Sequence, residues 1–142
     1  MDKGRGKSPS VRRAGRPATR RLPHHHVRHA APVTAPLLHL ITADDWAAAQ
    51  ARGTLAPTHG DGFVHLSTPG QVTLPAEALF AGRTDLLLLT VDPAGLDVRF
   101  EPGMPYDPPG MLFPHAYGTV PTTAVVAAVP YRPGPDGRFA TP

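Results

Sequence analysis

The sequence predicts an α+β domain in which two main helices lie on a small, curved or split, mixed β-sheet. Three observations predict it. Short apolar runs at 37–41, 62–66, 86–91 and 125–131 have strand length and outnumber the helix-like segments. Helix start signals occur twice, at Thr42 and at Thr68. A length of 142 residues suits one domain.

Each element follows from local chemistry. Leu37 to Ile41 is a short apolar run before a helix signal, hence a strand. Thr42-Ala43-Asp44-Asp45 has a capping residue with an acid three positions on; Trp46 and Gln50 continue the helix, and Gly53 ends it. Residues 54–61, with Pro57, Gly60 and Asp61, read as a loop. Gly62 to Leu66 is the second strand. Thr68 as cap and Pro69 at the first helical position then predict a second helix to about Phe80, broken or kinked by Pro75. Leu86 to Val91 is a buried central strand and Val98 to Glu101 a short one. Pro102 to Pro109 reads as a loop of low order and Phe113 to Gly118 as an irregular turn. Val125 to Tyr131 closes the sheet. The domain thus spans 37–133, followed by a flexible end over 134–142.

Composition excludes several classes. With no Cys, the chain has no disulfide framework, zinc–thiolate site or Cys nucleophile. Its apolar runs fall far short of the ~20 residues that span a bilayer, and the N-terminus lacks the ~7–15-residue apolar stretch of a secretory signal. The expectation is a soluble, cytoplasmic protein of unassigned oligomeric state. Net charge divides unevenly. Residues 1–30 hold nine basic groups and one acid, +8, whereas 31–142 hold five Arg and ten acids, −5. The basic excess therefore belongs to a segment over 1–36 without apolar periodicity, which predicts a disordered tail. That tail reads as an arm for nucleic acid or an anionic surface, as an Arg-rich targeting peptide, or as inert sequence. The mildly acidic domain itself gives no support to nucleic-acid binding.

No phosphate loop, dinucleotide fingerprint, His-Glu-x-x-His or Gly-x-Ser-x-Gly occurs. The histidines of the domain carry the chemical signal. His39 and His65 interrupt apolar strands, His115 sits in the Pro114-His115-Ala116-Tyr117-Gly118 turn, and His59 is in a loop. A His inside an apolar strand needs a hydrogen-bond partner or a cleft. Strand parity puts Phe63, His65 and Ser67 on one side. Three unrelated segments that each place a His in apolar context predict a shared cleft. The bland alternatives are satisfied structural histidines, a helix cap at Ser67-Thr68, and a core role for Trp46.

Four blocks occur in order: Leu38-His39-Leu40 before the Trp46 helix; Gly62-Phe63-Val64-His65-Leu66-Ser67 with Gln71 downstream; Asp85-Leu86-Leu87-Leu88-Leu89; and Phe113-Pro114-His115-Ala116-Tyr117-Gly118. With these blocks, over ~37–130, the chain resembles the family catalogued as domain of unknown function 952. That family is similar to the ADP-ribosyltransferase-like fold, a split, curved sheet that binds NAD in a central cleft. The resemblance implies that His39 binds the adenosine ribose and that His65 and Ser67, with Phe63, lie beside the nicotinamide ribose. His115 and Tyr117 fall near the third motif, where active transferases hold Glu or Gln. Here a His replaces the acid, and Glu101, on a different predicted strand, would have to enter the cleft.

The implied reaction is displacement of nicotinamide at the ribose carbon of NAD as co-substrate, with His65, His115, Tyr117 and Glu101 as catalytic candidates. Orientation and charge stabilisation would serve it better than a covalent nucleophile. No metal is expected. The alternatives are a non-catalytic nucleotide or small-ligand domain and a metal site formed by His39, His65 and His115, whose spacing is too long for a local motif. Removal of residues 1–36 is expected to shift the melting temperature by less than ~4 °C, roughly 1 kcal/mol; a larger fall would mean that the tail packs.

Overall fold

Capping chemistry sets the first helix. Strand β1 (Leu37–Thr42) leads directly into α1 (Ala43–Arg52), where Thr42 Oγ1 accepts the Asp45 N–H at 3.2 Å. Asp44 and Asp45 face the positive end of the helix and Arg52 the negative end. Gly53, at φ +85°, adopts the left-handed conformation and donates its N–H to Ala49 C=O. These features match the sequence reading. The computed structural model describes residues 33–57 and 61–142. The expected tail lies outside them except for 33–36, and Val33, assigned by sequence to that tail, packs against the core.

The remaining elements are β2 (Thr54–Leu55), β3 (Phe63–His65), α2 (Thr73–Phe80), β4 (Leu86–Val91), β5 (Asp97–Pro102), β6 (Leu112–Tyr117), β7 (Val120–Pro121) and β8 (Val125–Pro130), the last preceded by a 3-10 turn at Thr122–Ala124. The sheet is split, and every strand pairing among the described residues is antiparallel rather than mixed. One sheet has the order β1-β4-β8, another β3-β6-β5, and β2 pairs with β7. Among the described residues one isolated bridge joins the first two: Leu38 and Ser67 exchange N–H···O=C bonds, both 2.8 Å.

The β1-β4 pair is covered on both faces. Leu37, Leu89 and Val91 pack with Ala49, Val64 and Ala116. Leu38, Leu40, Leu86 and Leu88 pack against Val72 and Ala76 of the α2 region, with Tyr131 and Phe139. Burial on both faces explains the unbroken apolar runs.

Several sequence expectations are corrected. The 54–61 loop contains a short strand, because Thr54-Leu55 finds Val120-Pro121, a non-local partner. The second helix begins at Thr73, not Pro69: the Thr68 N–H is taken by Gln71 Oε1 at 3.2 Å, and Gln71 N–H closes a turn on Thr68 C=O. Pro75 then falls in the first turn, where a missing N–H costs no helical bond, so it does not break the helix.

The supposed irregular turn at 113–118 is the central strand β6. Pro114 accepts the Leu66 N–H at 2.9 Å but has no N–H to return, and the β3-β6 ladder ends at His65–His115. The C-terminal residues, read as flexible, return to α2: Phe139 N–H donates to Glu77 Oε1 at 2.6 Å, and Tyr131 O–H donates to Ala140 C=O.

Leu89 is fully buried at the centre of the first core. Leu89→Ala is expected to cost about 2–5 kcal/mol in chemical denaturation; a cost under ~1 kcal/mol would contradict this packing.

Candidate functional site

Cross-strand register assembles the site. On the β3-β6-β5 sheet, His65 is paired with His115, Phe63 with Tyr117, and Arg99 with His115. Alternation along β5 puts Asp97, Arg99 and Glu101 on one face. Their contacts show that it is the face of His115 and Tyr117. Glu101 Oε1 accepts the His115 Nδ1–H at 2.9 Å and the Tyr117 O–H at 2.5 Å. Phe63 stacks on the His115 ring at 4.3 Å, and the His65 ring meets His115 edge-on at 4.8 Å. His65 Nε2 donates to Asp61 Oδ2 at 3.1 Å. Arg99 lies over the Tyr117 ring at 4.1 Å and holds Asp97 through Nε and Nη2.

His39 enters from the other sheet. The Leu38–Ser67 bridge brings it beside β3, and its Nδ1–H donates to His65 C=O at 2.8 Å. It is 7% exposed and lines a cavity of about 230 Å³ together with His65 and Ser67. Leu40, Leu66, Leu79, Phe80, Met104 and Phe113 supply most of its apolar wall. Asp107 closes one side, its Oδ2 accepting the Met104 N–H at 2.7 Å. Gly103 is required there, since a Cβ would lie 2.3 Å from Asp107 Oδ2 and 2.8 Å from the Phe113 ring. The 102–109 segment is therefore a hydrogen-bonded cavity wall rather than a loop of low order.

The electrostatics follow from these contacts. The Tyr117 hydroxyl first, then the His115 ring, hold the Glu101 carboxyl below the usual carboxylate range. The same bond to Glu101 raises the Tyr117 hydroxyl. Burial lowers His39, outweighing its bond to His65 C=O. With the proton on Nδ1, the neutral ring has an acceptor at Nε2. His115 is 3% exposed, and its buried Nε2 has no hydrogen-bond partner among the described residues.

All seven residues singled out from sequence fall in two contiguous groups. His39, His65 and Ser67 line the cavity; Phe63, His115, Tyr117 and Glu101 form the adjoining cluster beyond His65. His59 lies outside the described residues. The three-His metal alternative is not supported: among the described residues no three His, Cys, Asp or Glu side chains could hold an ion. His39 Nδ1 faces a backbone carbonyl, and His115 Nδ1 and His65 Nε2 face carboxylates. Sequence reasoning missed Asp61, Arg99 and Asp107. Period-2 parity from Glu101 could have found Arg99. Asp61 and Asp107 carried no comparable signal, being on turns.

The family described as "Protein of unknown function (DUF952)" matches residues 40–128. Among solved structures, the chain is similar to the crystal structure of protein CC0527 from Caulobacter crescentus, at 27% identity and a TM-score of 0.65, covering 75% of this chain and 94% of that one. The solution NMR structure of CC0527 gives 28% identity and a TM-score of 0.62 over 72% and 90%. No curated protein matches.

The lowered His39 makes stability depend on pH. The native state binds its proton less readily than the unfolded chain, so stability is full above the ordinary imidazole value of ~6.5 and declines as pH falls below it. Between pH 7.5 and 5.5, the melting temperature is expected to fall more for wild type than for His39→Asn, which keeps a donor toward His65 C=O. Parallel curves would contradict this.

Proposed function

The chain belongs to the DUF952 family of proteins of unknown function, and from that premise we propose that its cleft takes NAD and transfers the ADP-ribosyl group to an acceptor. The observation that supports this most is the Glu101 carboxylate, held by both Tyr117 and His115 on the sheet face that adjoins the cavity. The bond from ribose C1′ to the pyridinium nitrogen breaks with its electron pair going to nitrogen, which leaves as neutral nicotinamide. The acceptor's nucleophilic atom bonds to C1′ and gives up its proton to solvent or to a nearby base. Positive charge builds on the ribose in the transition state, and Glu101 stabilises it there. Two donors fix the carboxylate in advance, so little reorganisation accompanies the reaction. His39 offers Nε2 as an acceptor for a donor group of the ligand part that occupies the cavity. Phe63 fixes the His115 ring by stacking.

A second reading has its own observation. The cavity lining ends at His65 and Phe113, short of Glu101. A ligand confined to that space would be bound without turnover, as in a binding module.

Isothermal titration with NAD and a nicotinamide-release assay separate the two. Glu101→Gln is expected to lower release by ~10²–10³-fold with little change in affinity. His39→Ala should mainly weaken binding, by ~1–3 kcal/mol. The acid limb of activity reflects the lowered Glu101 carboxyl, so Tyr117→Phe should move that limb to higher pH. NAD binding without release favours the binding module. Neither heat nor release, with acceptors present, contradicts the transferase reading.

A further inference from the structure

The chemistry changes in a fixed order along the β5-β6 face. At one end Gly103 and Phe113 line the apolar cavity. One two-residue step along β5 is Glu101, bonded to His115; one more is Arg99, over Tyr117. Each step is about 6.5–7 Å. Apolar slot, carboxylate, guanidinium is the order that complements ring, sugar and phosphate in a nucleotide.

We propose that Arg99 is the phosphate-recognition residue of the cleft, selecting a 5′-phosphorylated nucleoside over the bare nucleoside. The inference rests on the nucleotide reading above and adds which part of the ligand each station takes. Arg99 is prepared for that role. Stacking on Tyr117 and the Asp97 contacts orient its plane, and those contacts use Nε and Nη2, leaving the Nη1 edge for an incoming oxygen. The Asp97–Arg99 pair is more than half exposed on both side chains. An exposed pair of this kind is weakly held, and a phosphate can share or displace it. Arg99 is also the cation beside Glu101, whose charge would otherwise repel a phosphate.

The test compares binding of nicotinamide mononucleotide and nicotinamide riboside, which differ by the phosphate, to the full chain. Wild type is expected to prefer the mononucleotide by ~10-fold or more. Arg99→Ala and Arg99→Gln should abolish that preference and leave riboside affinity unchanged, Arg99→Lys should keep part of it, and Asp97→Asn should keep all of it. Two variants at Arg99, each checked by thermal melting, guard against a folding defect in one. A preference that survives in both places the phosphate elsewhere, the basic N-terminal segment included, and overturns the proposal. Riboside binding as tight as the mononucleotide in wild type overturns it too, while the nucleotide reading stands. Failure of both ligands to bind overturns the proposal together with that reading.

Discussion

Two reciprocal backbone hydrogen bonds between Leu38 and Ser67 connect the β1-β4-β8 sheet to the β3-β6-β5 sheet. Ladder bonds elsewhere hold strands within a sheet; this pair sets how the two sheets meet. It puts His39 next in the chain to one bridge residue and His65 two residues from the other, close enough for the 2.8 Å bond from His39 Nδ1 to His65 C=O. Pro114 supports the same junction from within β6. Lacking an N–H, it ends the β3 ladder, and β3 turns from β6 toward β1 over Leu66 and Ser67. The cavity occupies the space beside that turn.

The site combines a nearly uncharged cavity with a compact charged cluster. Most of the cavity wall is aliphatic or aromatic, with His39 kept neutral by burial. Beyond His65, Glu101 has two donors at one oxygen, and Asp97 compensates the Arg99 that lies over the Tyr117 ring. Pairing within the cluster lets ionised groups persist beside an apolar space, where unpaired charge would be costly. Net charge did not reveal this. The +8 of the first thirty residues masks a −5 remainder in which a single Arg stands at the site.

Sequence disclosed the parts whose determinants are local. Thr42, Asp45 and Gly53 marked both ends of α1 because capping uses neighbouring residues. The apolar runs marked β1 and β4 because both faces of that pair are covered. Parity along β3 gathered Phe63, His65 and Ser67. Non-local pairing was illegible: Thr54-Leu55 is a strand only because Val120-Pro121 reaches it, and Pro114 argued against the strand that β6 is. The same limit hid the distance between Glu101 and His115, fourteen residues apart but on adjacent strands. Asp107 was obscured for a different reason. Its Pro/Gly-rich surroundings read as unstructured, whereas its carboxyl closes the turn through the Met104 N–H.

The central claim is that one sheet face carries both the ligand and the group that acts on it. A crystal structure of the full chain with NAD tests it most directly. The account predicts the pyridine ring in the cavity against Phe113, the glycosidic carbon within ~3–3.5 Å of the Glu101 carboxylate, and phosphate toward Arg99. Nucleotide bound with its glycosidic carbon away from Glu101, or an empty cleft at saturating NAD, would contradict it.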